Sequence, residues 1–274
     1  SVLSLSQVSS KFGIKMNLTR TLVLGATGGT GIRLVEQMLN KISDGTTTTT
    51  TLRVITRSKE RFHKLFPVPV ASPQDKPNSL EVIEASLLDM TDEEFMKAIE
   101  DCDVVVSCLG HNMTMKGVYG EPRRLVTDTI KRVHHTISNR IQPTQPVHFI
   151  LMNTAGAAHP GGMDDDRTRF ERTVMGCIRT LLPPHRDNEG AIEYLWNDVG
   201  LNDPYMEWVA VRPDALIDTD EVSSYDTFEK PKTGLFEGHE SSRSNVAHFM
   251  SNLVSDKNTW EAWKFKMPYL CDSK

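Results

Sequence analysis

Three glycines at a regular three-residue step, Gly25, Gly28 and Gly31, constrain this chain more than any other feature. The residues before them, Thr21–Leu24, form a short apolar run of strand-forming side chains. After them, apolar residues recur at helical spacing, namely Ile32, Leu34, Val35, Met38 and Leu39. The pattern predicts a strand, a tight glycine turn and an amphipathic helix that begins at the turn.

Each glycine meets a different need of a site for a bound diphosphate. Gly25 lets the chain turn off the strand, Gly28 lets the backbone approach the phosphates, and Gly31 lets the helix pack close to the sheet. The free N–H groups and the dipole at the helix start favour an anion. We expect a nucleotide diphosphate to contact the whole turn: Gly25, Ala26, Thr27, Gly28, Gly29, Thr30 and Gly31. The alternative is an ordinary glycine-rich turn between a strand and a helix.

The end of the second expected strand, Leu52–Thr56, indicates which nucleotide binds. A site for NAD places a carboxylate there for the ribose hydroxyls, whereas a site for NADP places a cation there for the 2′-phosphate. Asp44 precedes the strand, and the residue at its end is Arg57. A guanidinium can hold a phosphate with two hydrogen bonds, and Ser58 would add a hydroxyl. We predict NADP(H) as the cofactor; alternatively, Arg57 is a solvated residue at a helix start.

Strands and helices alternate along the chain, which predicts the α/β class. Further strands are expected over residues 80–85, 103–108, 146–152 and 208–211, with helices between them. The continuous apolar runs suit strands that are covered on both faces. The sequence predicts a doubly wound parallel sheet, a Rossmann fold, with a small C-terminal lobe on the substrate side. The threonine tract Thr46–Thr51 and the proline-rich residues 67–79 are predicted to be loops.

The turn sequence GATGGTG, from Gly25 to Gly31, resembles the signature of atypical and extended short-chain dehydrogenase/reductases. It is most similar to their small NAD(P)H-binding, NmrA-like members. The resemblance runs from about Thr21 to about Val254, and it includes Arg212-Pro213 and the segment Ser242–Met250. It implies the same fold, a pyridine nucleotide cofactor and a small-molecule substrate.

The resemblance also implies further contacts at the ends of three strands. These are Leu88 and Asp89 at the adenine, Cys108, Leu109 and Gly110 beside the nicotinamide ribose, and Asn153 and Thr154 after the fifth strand. From its own chemistry, Asp89 could equally cap the helix that starts near Thr91. Thr154 stands where the family has a hydroxyl that binds the substrate carbonyl, although it could also cap the turn.

The tyrosine–lysine pair of standard short-chain reductases is missing. In Tyr-x-x-x-Lys the two side chains share one helix face, and the lysine lowers the pKa of the tyrosine for proton transfer. None of the five tyrosines has a lysine four residues later, and the helix that carries a lysine in many relatives reads His185-Arg186-Asp187-Asn188-Glu189. Another donor is needed, and the candidates are Thr154, His159 and Tyr194.

Two functions fit these observations. The first is an NADPH-dependent reductase that transfers hydride to a small carbonyl, quinone or related acceptor, with the proton from solvent or from one of the three candidates. The second is a non-catalytic NADP(H)-binding redox sensor or assembly factor. The missing pair favours the sensor, whereas a segment at 157–187 with room to close over a substrate favours the enzyme. An epimerase or lyase on the same scaffold is a third reading.

Composition and charge limit the size of the domain, the classes of partner and the cellular compartment that we expect. A chain of 274 residues suits one substantial core, and its net charge of −5 argues against a general nucleic-acid partner. No apolar run reaches the ~18 residues needed to span a bilayer. The four cysteines lack a C-x-x-C motif, which indicates a reducing compartment without structural disulfides. The spacing of His159 and Asp164–Asp166 matches no standard ligand set, so we expect no metal site.

The chain divides into an N-terminal arm, residues 1–19, and one NAD(P)-binding domain, residues 20–274. The first twenty residues hold five serines and no acid, a composition typical of the end of an organelle transit peptide or of a polar arm. The first origin implies a plastid or mitochondrion and the second the cytoplasm. Within the domain we expect a lid or insertion at 157–187 and a substrate-side segment at 213–274. The oligomeric state does not follow from the sequence.

Overall fold

The structure is a computed structural model of the chain that describes residues 19–47, 49–66, 79–111, 114, 118–164, 174, 176, 182–231 and 239–273. Residues 1–18 of the expected arm, nearly all of the proline-rich loop and about half of the expected lid at 157–187 lie outside this set. Our expectations for those segments stay predictions.

An eight-stranded sheet forms the centre of the fold. Its strands, in chain order, are β1 (Thr19–Leu24), β2 (Thr49–Thr56), β3 (Ser79–Glu84), β4 (Val104–Ser107), β5 (Val147–Met152), β6 (Met206–Pro213), β8 (Tyr225–Phe228) and β10 (Tyr269–Asp272). Their order across the sheet is β3-β2-β1-β4-β5-β6-β10-β8, and all neighbours are parallel except β10 and β8. Strands β7 (Ala215–Ile217) and β9 (Glu240–Ser242) form a separate parallel pair. The predicted doubly wound Rossmann fold is confirmed.

Helices cover both faces of this sheet. They are α1 (Gly29–Ser43), α2 (Lys59–Leu65), α3 (Asp92–Ile99), α4 (Leu125–Thr136), α5 (Pro183–Tyr194), α6 (Arg243–Ser255) and α7 (Lys257–Trp263). Helices α4 and α5 each continue into one π-helical turn, Ile137–Ile141 and Leu195–Val199. Apolar side chains of α3, α4 and α5 share one core cluster, and those of α1, α2, α6 and α7 share the other. None of the helices described is long and apolar enough to cross a membrane.

The order of the strands places a crevice beside the glycine turn. Chain order reverses between β1 and β4, because β2 and β3 lie on one side of β1 and the later strands lie on the other. At such a reversal the loops after the two strands diverge and leave room for a ligand at their carboxyl ends. The turn after β1 and the loop after β4 therefore border the expected cofactor site.

The prediction that the threonine tract is a loop is wrong for Thr49–Thr51, which begin strand β2. Residue 49 pairs with Thr19 and residue 51 pairs with Arg20 of β1, and residue 51 also pairs with Ser79 of β3. Threonine is β-branched and favours strands, so once two neighbours supply partners the strand extends back into the tract. The loop prediction was based on the low complexity of the tract and left the strand propensity of threonine out of account.

Candidate cofactor and active site

The glycine turn between β1 and α1 packs against the end of β4. Gly25 has a φ of +80°, and a Cβ built on it would lie 2.8 Å from the carbonyl carbon and oxygen of Cys108. A Cβ on Gly31 would lie 2.1 Å from the carbonyl oxygen of Gly25. Both positions admit only glycine, because the protein's own backbone fills the space that a side chain would need.

Gly28 is under no such internal constraint. A Cβ there would lie 3.4 Å from the carbonyl oxygen of Gly25, which is ordinary contact, and φ is −81°. Gly28 is the N-cap of α1 and supplies no side-chain cap to the first N–H groups of the helix. Those groups and the positive end of the helix dipole can therefore face an anion that approaches the bare backbone.

The remaining turn residues give the crevice a mixed lining. Ala26 and Thr30 are buried, Thr27 is half-buried and Gly29 is exposed. The Thr30 hydroxyl is buried and has no hydrogen-bond partner within the described part of the chain. A buried hydroxyl without a partner is costly in a folded protein, so this position suits a ligand that brings an acceptor.

Arg243 places a cation beside the turn, which the sequence reasoning missed. Its side chain lies over Gly29, because a Cβ on Gly29 would come 2.8 Å from Cδ and 2.9 Å from Nε of Arg243. The guanidinium also forms a 3.0 Å ion pair with the exposed Asp218. A positive charge at the start of α1 adds to the helix dipole and favours a diphosphate there.

Arg57 and Ser58 follow β2, where the cofactor's ribose is expected. The Arg57 side chain is exposed, and no polar contact of its guanidinium appears within the described ranges. The Ser58 hydroxyl accepts the Arg61 N–H at 3.1 Å and caps α2, which leaves its own proton for a ligand. The carboxylate of Glu84 accepts the N–H of Lys59 at 3.1 Å.

Leu88 and Asp89 follow β3. Leu88 is 39% exposed, which suits a surface for a planar base, and the Asp89 N–H donates to the carbonyl of Ser86. The alternative role of Asp89 as a helix cap is wrong. Thr91 caps α3 instead, in a reciprocal capping box with Glu94 that satisfies the free N–H groups at both positions.

Cys108, Leu109 and Gly110 form the loop after β4. The Cys108 N–H donates to the carbonyl of Leu24, and the Cys108 carbonyl packs on Gly25. Burial raises the pKa of the Cys108 thiol to about 12, so this group is a packing residue rather than a nucleophile. No atom of the described residues lies within 4 Å of the point where a side chain at Gly110 would project.

Asn153 and Thr154 follow β5 at the same edge of the sheet. The Asn153 side-chain amide donates to the carbonyl of Asn188 on α5, and its oxygen accepts the Thr154 N–H. The Thr154 hydroxyl accepts the Gly156 N–H at 3.2 Å, so its proton is left for another acceptor. Asn153 therefore ties β5 to α5, and Thr154 stands at the mouth of the crevice.

The family model for NAD(P)H-binding proteins matches residues 25–257, which include both the glycine turn and α6. The chain belongs to the NAD(P)H-binding family. No curated protein matches it in sequence. The resemblance to that family, predicted from the turn sequence, is thus confirmed, whereas the finer NmrA-like assignment stays a prediction.

Solved structures of this general fold cover nearly the whole chain. An oxidoreductase from Lactococcus lactis has a TM-score of 0.62 at 14% identity, covering 93% of this chain and 92% of that one. An anaerobillin reductase from Escherichia coli O157:H7 has a TM-score of 0.58 at 14% identity, covering 93% and 98%. A short-chain dehydrogenase/reductase from Veillonella parvula, solved with NADP, has a TM-score of 0.57 at 13% identity, covering 93% and 94%. At these identities the likeness shows the fold.

The crevice of this NAD(P)H-binding family member fits its cofactor. The bare backbone at Gly28, the uncapped start of α1 and the buried Thr30 hydroxyl are the groups that would hold a diphosphate. Open space at Gly110 leaves room for the nicotinamide end. No group of three or more metal-ligating side chains occurs among the residues that the structure describes.

Tyr194 is not brought together with Thr154. Its hydroxyl contacts Nδ1 of His134 at 2.8 Å, and Nε2 of His134 contacts Asp203 at 3.0 Å. Asp203 accepts the N–H of Met206, the first residue of β6, whereas Thr154 follows the end of the parallel strand β5. The two hydroxyls thus lie at opposite edges of the sheet. Burial, together with Asp198 and Asp203, raises the pKa of Tyr194.

His159 is buried near the start of the expected lid. The backbone N–H of His159 donates to the Asp164 carboxylate, and its ring nitrogen Nδ1 accepts the Gly161 backbone N–H at 2.9 Å. The His159 ring packs on Trp196. Burial, followed by the charge of Arg212, lowers the pKa of His159 against the opposing effect of Asp164. The ring is therefore neutral at neutral pH, and one of its nitrogens is already engaged.

Arg212 anchors this segment and had no assigned role in the sequence analysis beyond the resemblance. The guanidinium is fully buried, pairs with Asp164 and donates to the carbonyls of Met267, Ala157 and Glu229. It thus fastens the chain after β5 to the chain before β10.

His111 and Asp187 form a buried pair that sequence reasoning also missed. His111 Nε2 lies 2.8 Å from Asp187 Oδ2, and the same carboxylate accepts the N–H groups of Val126 and Thr127 at the start of α4. Burial alone would raise the pKa of Asp187, but the hydrogen bonds from His111, Thr127 and Val126 outweigh it and lower the pKa. Asp187 thus joins α5, α4 and the loop after β4.

Proposed function

We propose that this member of the NAD(P)H-binding family is an NADP(H)-dependent reductase that acts on a small carbonyl, quinone or related acceptor. The observation that carries the proposal is that the chain has both a bare backbone at Gly28 and an exposed arginine, Arg57, just after β2. The first suits a diphosphate, and the second suits the 2′-phosphate of NADP. When bound, the reduced nicotinamide supplies a hydride.

The end of β5 supports a catalytic role. The Thr154 hydroxyl has a proton to donate to an acceptor oxygen, and buried tethers from Asn153 and Asp187 fix α5 beside it. The neighbour from Escherichia coli O157:H7 is described as a reductase, and the one from Veillonella parvula was solved with NADP. Both descriptions agree with the proposal.

Cofactor choice is tested at Arg57. Arg57→Ala removes a charge-assisted contact of about 1.5–3 kcal/mol, so NADPH should bind roughly 10- to 100-fold more weakly while NADH binding changes little. Lys64→Ala removes one exposed cation from the same region, where Lys64 pairs with Glu60, and should leave both affinities unchanged. Calorimetry on the three proteins measures the affinities. An unchanged NADPH-to-NADH preference in Arg57→Ala contradicts the assignment.

The missing Tyr-x-x-x-Lys pair favours one second candidate, a non-catalytic NADP(H)-binding redox sensor or assembly factor. Incubation of the protein with NADPH and a panel of carbonyls, quinones and flavins separates the two functions. Loss of absorbance at 340 nm with any acceptor supports the reductase. Tight NADPH binding without turnover on the whole panel supports the sensor.

A further inference from the structure

A histidine and a carboxylate share one buried face of α5 near the Thr154 hydroxyl. His185 and Glu189 are four residues apart, which places both side chains on the same side of the helix. Nε2 of His185 lies 3.4 Å from Oε1 of Glu189, and the two side chains are only 10% and 9% exposed. His185 Nε2 is buried and forms no hydrogen bond within the part of the chain described.

The other side of the His185 ring faces the end of β5. A Cβ built on Gly156 would lie 3.2 Å from Cε1 and 3.5 Å from Nδ1 of His185, and 3.6 Å from Oγ1 of Thr154. The imidazole and the hydroxyl thus both lie next to the position that a side chain of residue 156 would occupy. An acceptor oxygen placed there could contact both groups.

The helix that carries this pair is held rigidly. The carbonyl of Asn188 accepts the side-chain amide of Asn153 at 3.0 Å, and Asp187 binds the start of α4 and His111. These contacts fix α5 to the loops after β4 and β5, which border the nicotinamide end of the crevice. Side chains held by packed neighbours can keep a catalytic geometry.

We propose that His185 is the proton donor of the reduction and that Glu189 is its positioning residue, so that His-x-x-x-Glu does the work of the missing Tyr-x-x-x-Lys. The inference rests on the proposed reductase function. The carboxylate beside Nε2 holds the ring so that Nδ1 is directed towards the substrate. The other candidates are less suited, because His159 has an engaged Nδ1 and Tyr194 lies at the opposite edge.

The step balances for a carbonyl acceptor. The hydride from the reduced nicotinamide forms a new C–H bond at the carbonyl carbon, and the electron pair of the C=O π bond moves to the oxygen. That oxygen, held by the Thr154 hydroxyl, takes the proton from Nδ1 of His185 and forms the O–H bond. The histidine is left neutral with its proton on Nε2 facing Glu189, and solvent protonates it again for the next turnover.

Substitutions at both positions test the relay, with 9,10-phenanthrenequinone and NADPH as the probes. His185→Gln should lower kcat roughly 100-fold, the lower range of general acid catalysis, with an unchanged Kd for NADPH. Added imidazole should restore part of the rate of His185→Ala. Glu189→Gln should lower kcat about tenfold with little change in KM, and Glu189→Asp should recover part of the loss. His135→Gln, an exposed histidine on α4, is the control and should keep wild-type kinetics.

A second measurement does not depend on turnover. In NMR spectra, the ring signals of His185, assigned by their loss in His185→Gln, should shift when NADPH is added, while those of His135 should not. Unmoved His185 signals in NADPH-bound protein, or wild-type kcat in His185→Gln, would overturn the relay. Wild type that binds NADPH but reduces no quinone also overturns it and leaves the cofactor site standing. A protein that binds no NADPH removes the proposed function itself.

Discussion

The three glycines of the turn differ in whether the fold itself requires them. Gly25 and Gly31 are required by the fold, because a side chain at either would meet backbone atoms less than 3 Å away. Gly28 could carry a methyl group without a clash, so the fold itself does not require glycine there, and we predict that a bound diphosphate does. The sequence pattern predicted a separate role for each glycine, and the structure adds the backbone atoms that fill the space at Gly25 and Gly31.

Alanine substitutions should separate folding from binding at this turn. We expect Gly31→Ala to cost about 1–3 kcal/mol or more, since its Cβ would overlap the Gly25 carbonyl, and to weaken NADPH binding as a result. Gly28→Ala should unfold like wild type but bind NADPH at least roughly tenfold more weakly, because the methyl group occupies space meant for the diphosphate. Thermal unfolding and calorimetry give the two numbers.

Gly110→Ala is the matched control for the stability measurement alone, since the described residues leave open space around the site of a new methyl group. Its stability should stay within about 0.5 kcal/mol of wild type. If Gly28→Ala bound NADPH as tightly as the native protein, the diphosphate would have to lie elsewhere.

At the scale of elements, α5 connects the start of α4 to the loop after β4 through Asp187. This carboxylate caps α4, which begins about sixty residues earlier in the chain, and also binds His111 in the loop after β4. The sequence predicted a helix at α5 and singled out residues 185–189, but it assigned no role to Asp187 and His111. Such contacts join residues far apart in sequence, and no local spacing reveals them.

The cap predicts a specific response of stability to pH. Because the pKa of Asp187 is lower in the folded protein, its stabilisation is complete above the unfolded-state value of about 3.9 and is lost as the pH falls below it. Asp187→Asn should be less stable than wild type by about 1–3 kcal/mol at pH 7 and should lose less stability on acidification. Urea unfolding between pH 3 and pH 7 measures both effects.

Glu193→Gln is the control, since it removes an exposed carboxylate from the same helix. It should match wild type in stability at pH 7. A variant Asp187→Asn that shows the full wild-type dependence on pH would mean that another carboxyl group controls the acid limb.

The six strands β1 to β6 could be predicted from the sequence, since each one is a short apolar run bounded by turns. The start of β2 could not, because the strand propensity of Thr49–Thr51 is expressed only beside β1 and β3. Asp89 was ambiguous for a related reason. Two side chains near one helix start can both act as caps, and the geometry selects Thr91.

In the whole molecule, the last strand completes the sheet. β10 runs parallel to β6 and antiparallel to β8, so the end of the chain lies between two earlier strands. Its four residues, Tyr269–Asp272, are too short for a clear period, and their partners lie some 40 to 60 residues earlier. The sequence predicted a C-terminal segment but not its place in the central sheet.

Removing one side chain from β10 should therefore destabilise the entire fold. Leu270 is fully buried in the cluster that includes α6 and α7, so Leu270→Ala should cost about 2–5 kcal/mol in the free energy of unfolding. Val222→Ala, at a position 43% exposed, should cost less than about 1 kcal/mol. Urea denaturation compares them, and equal costs would show that β10 frays independently of the core.

The spare room at Gly28 also has a consequence for lineages that descend from this protein. A paralogue that had abandoned its nucleotide would still have to keep positions 25 and 31 as glycine, or its main chain would not close. Of these three positions, only position 28 would then tolerate substitution by alanine or serine. On the proposed site, glycine at position 28 would thus mark the copies that still bind the nucleotide, whereas glycine at positions 25 and 31 would mark only that the chain folds.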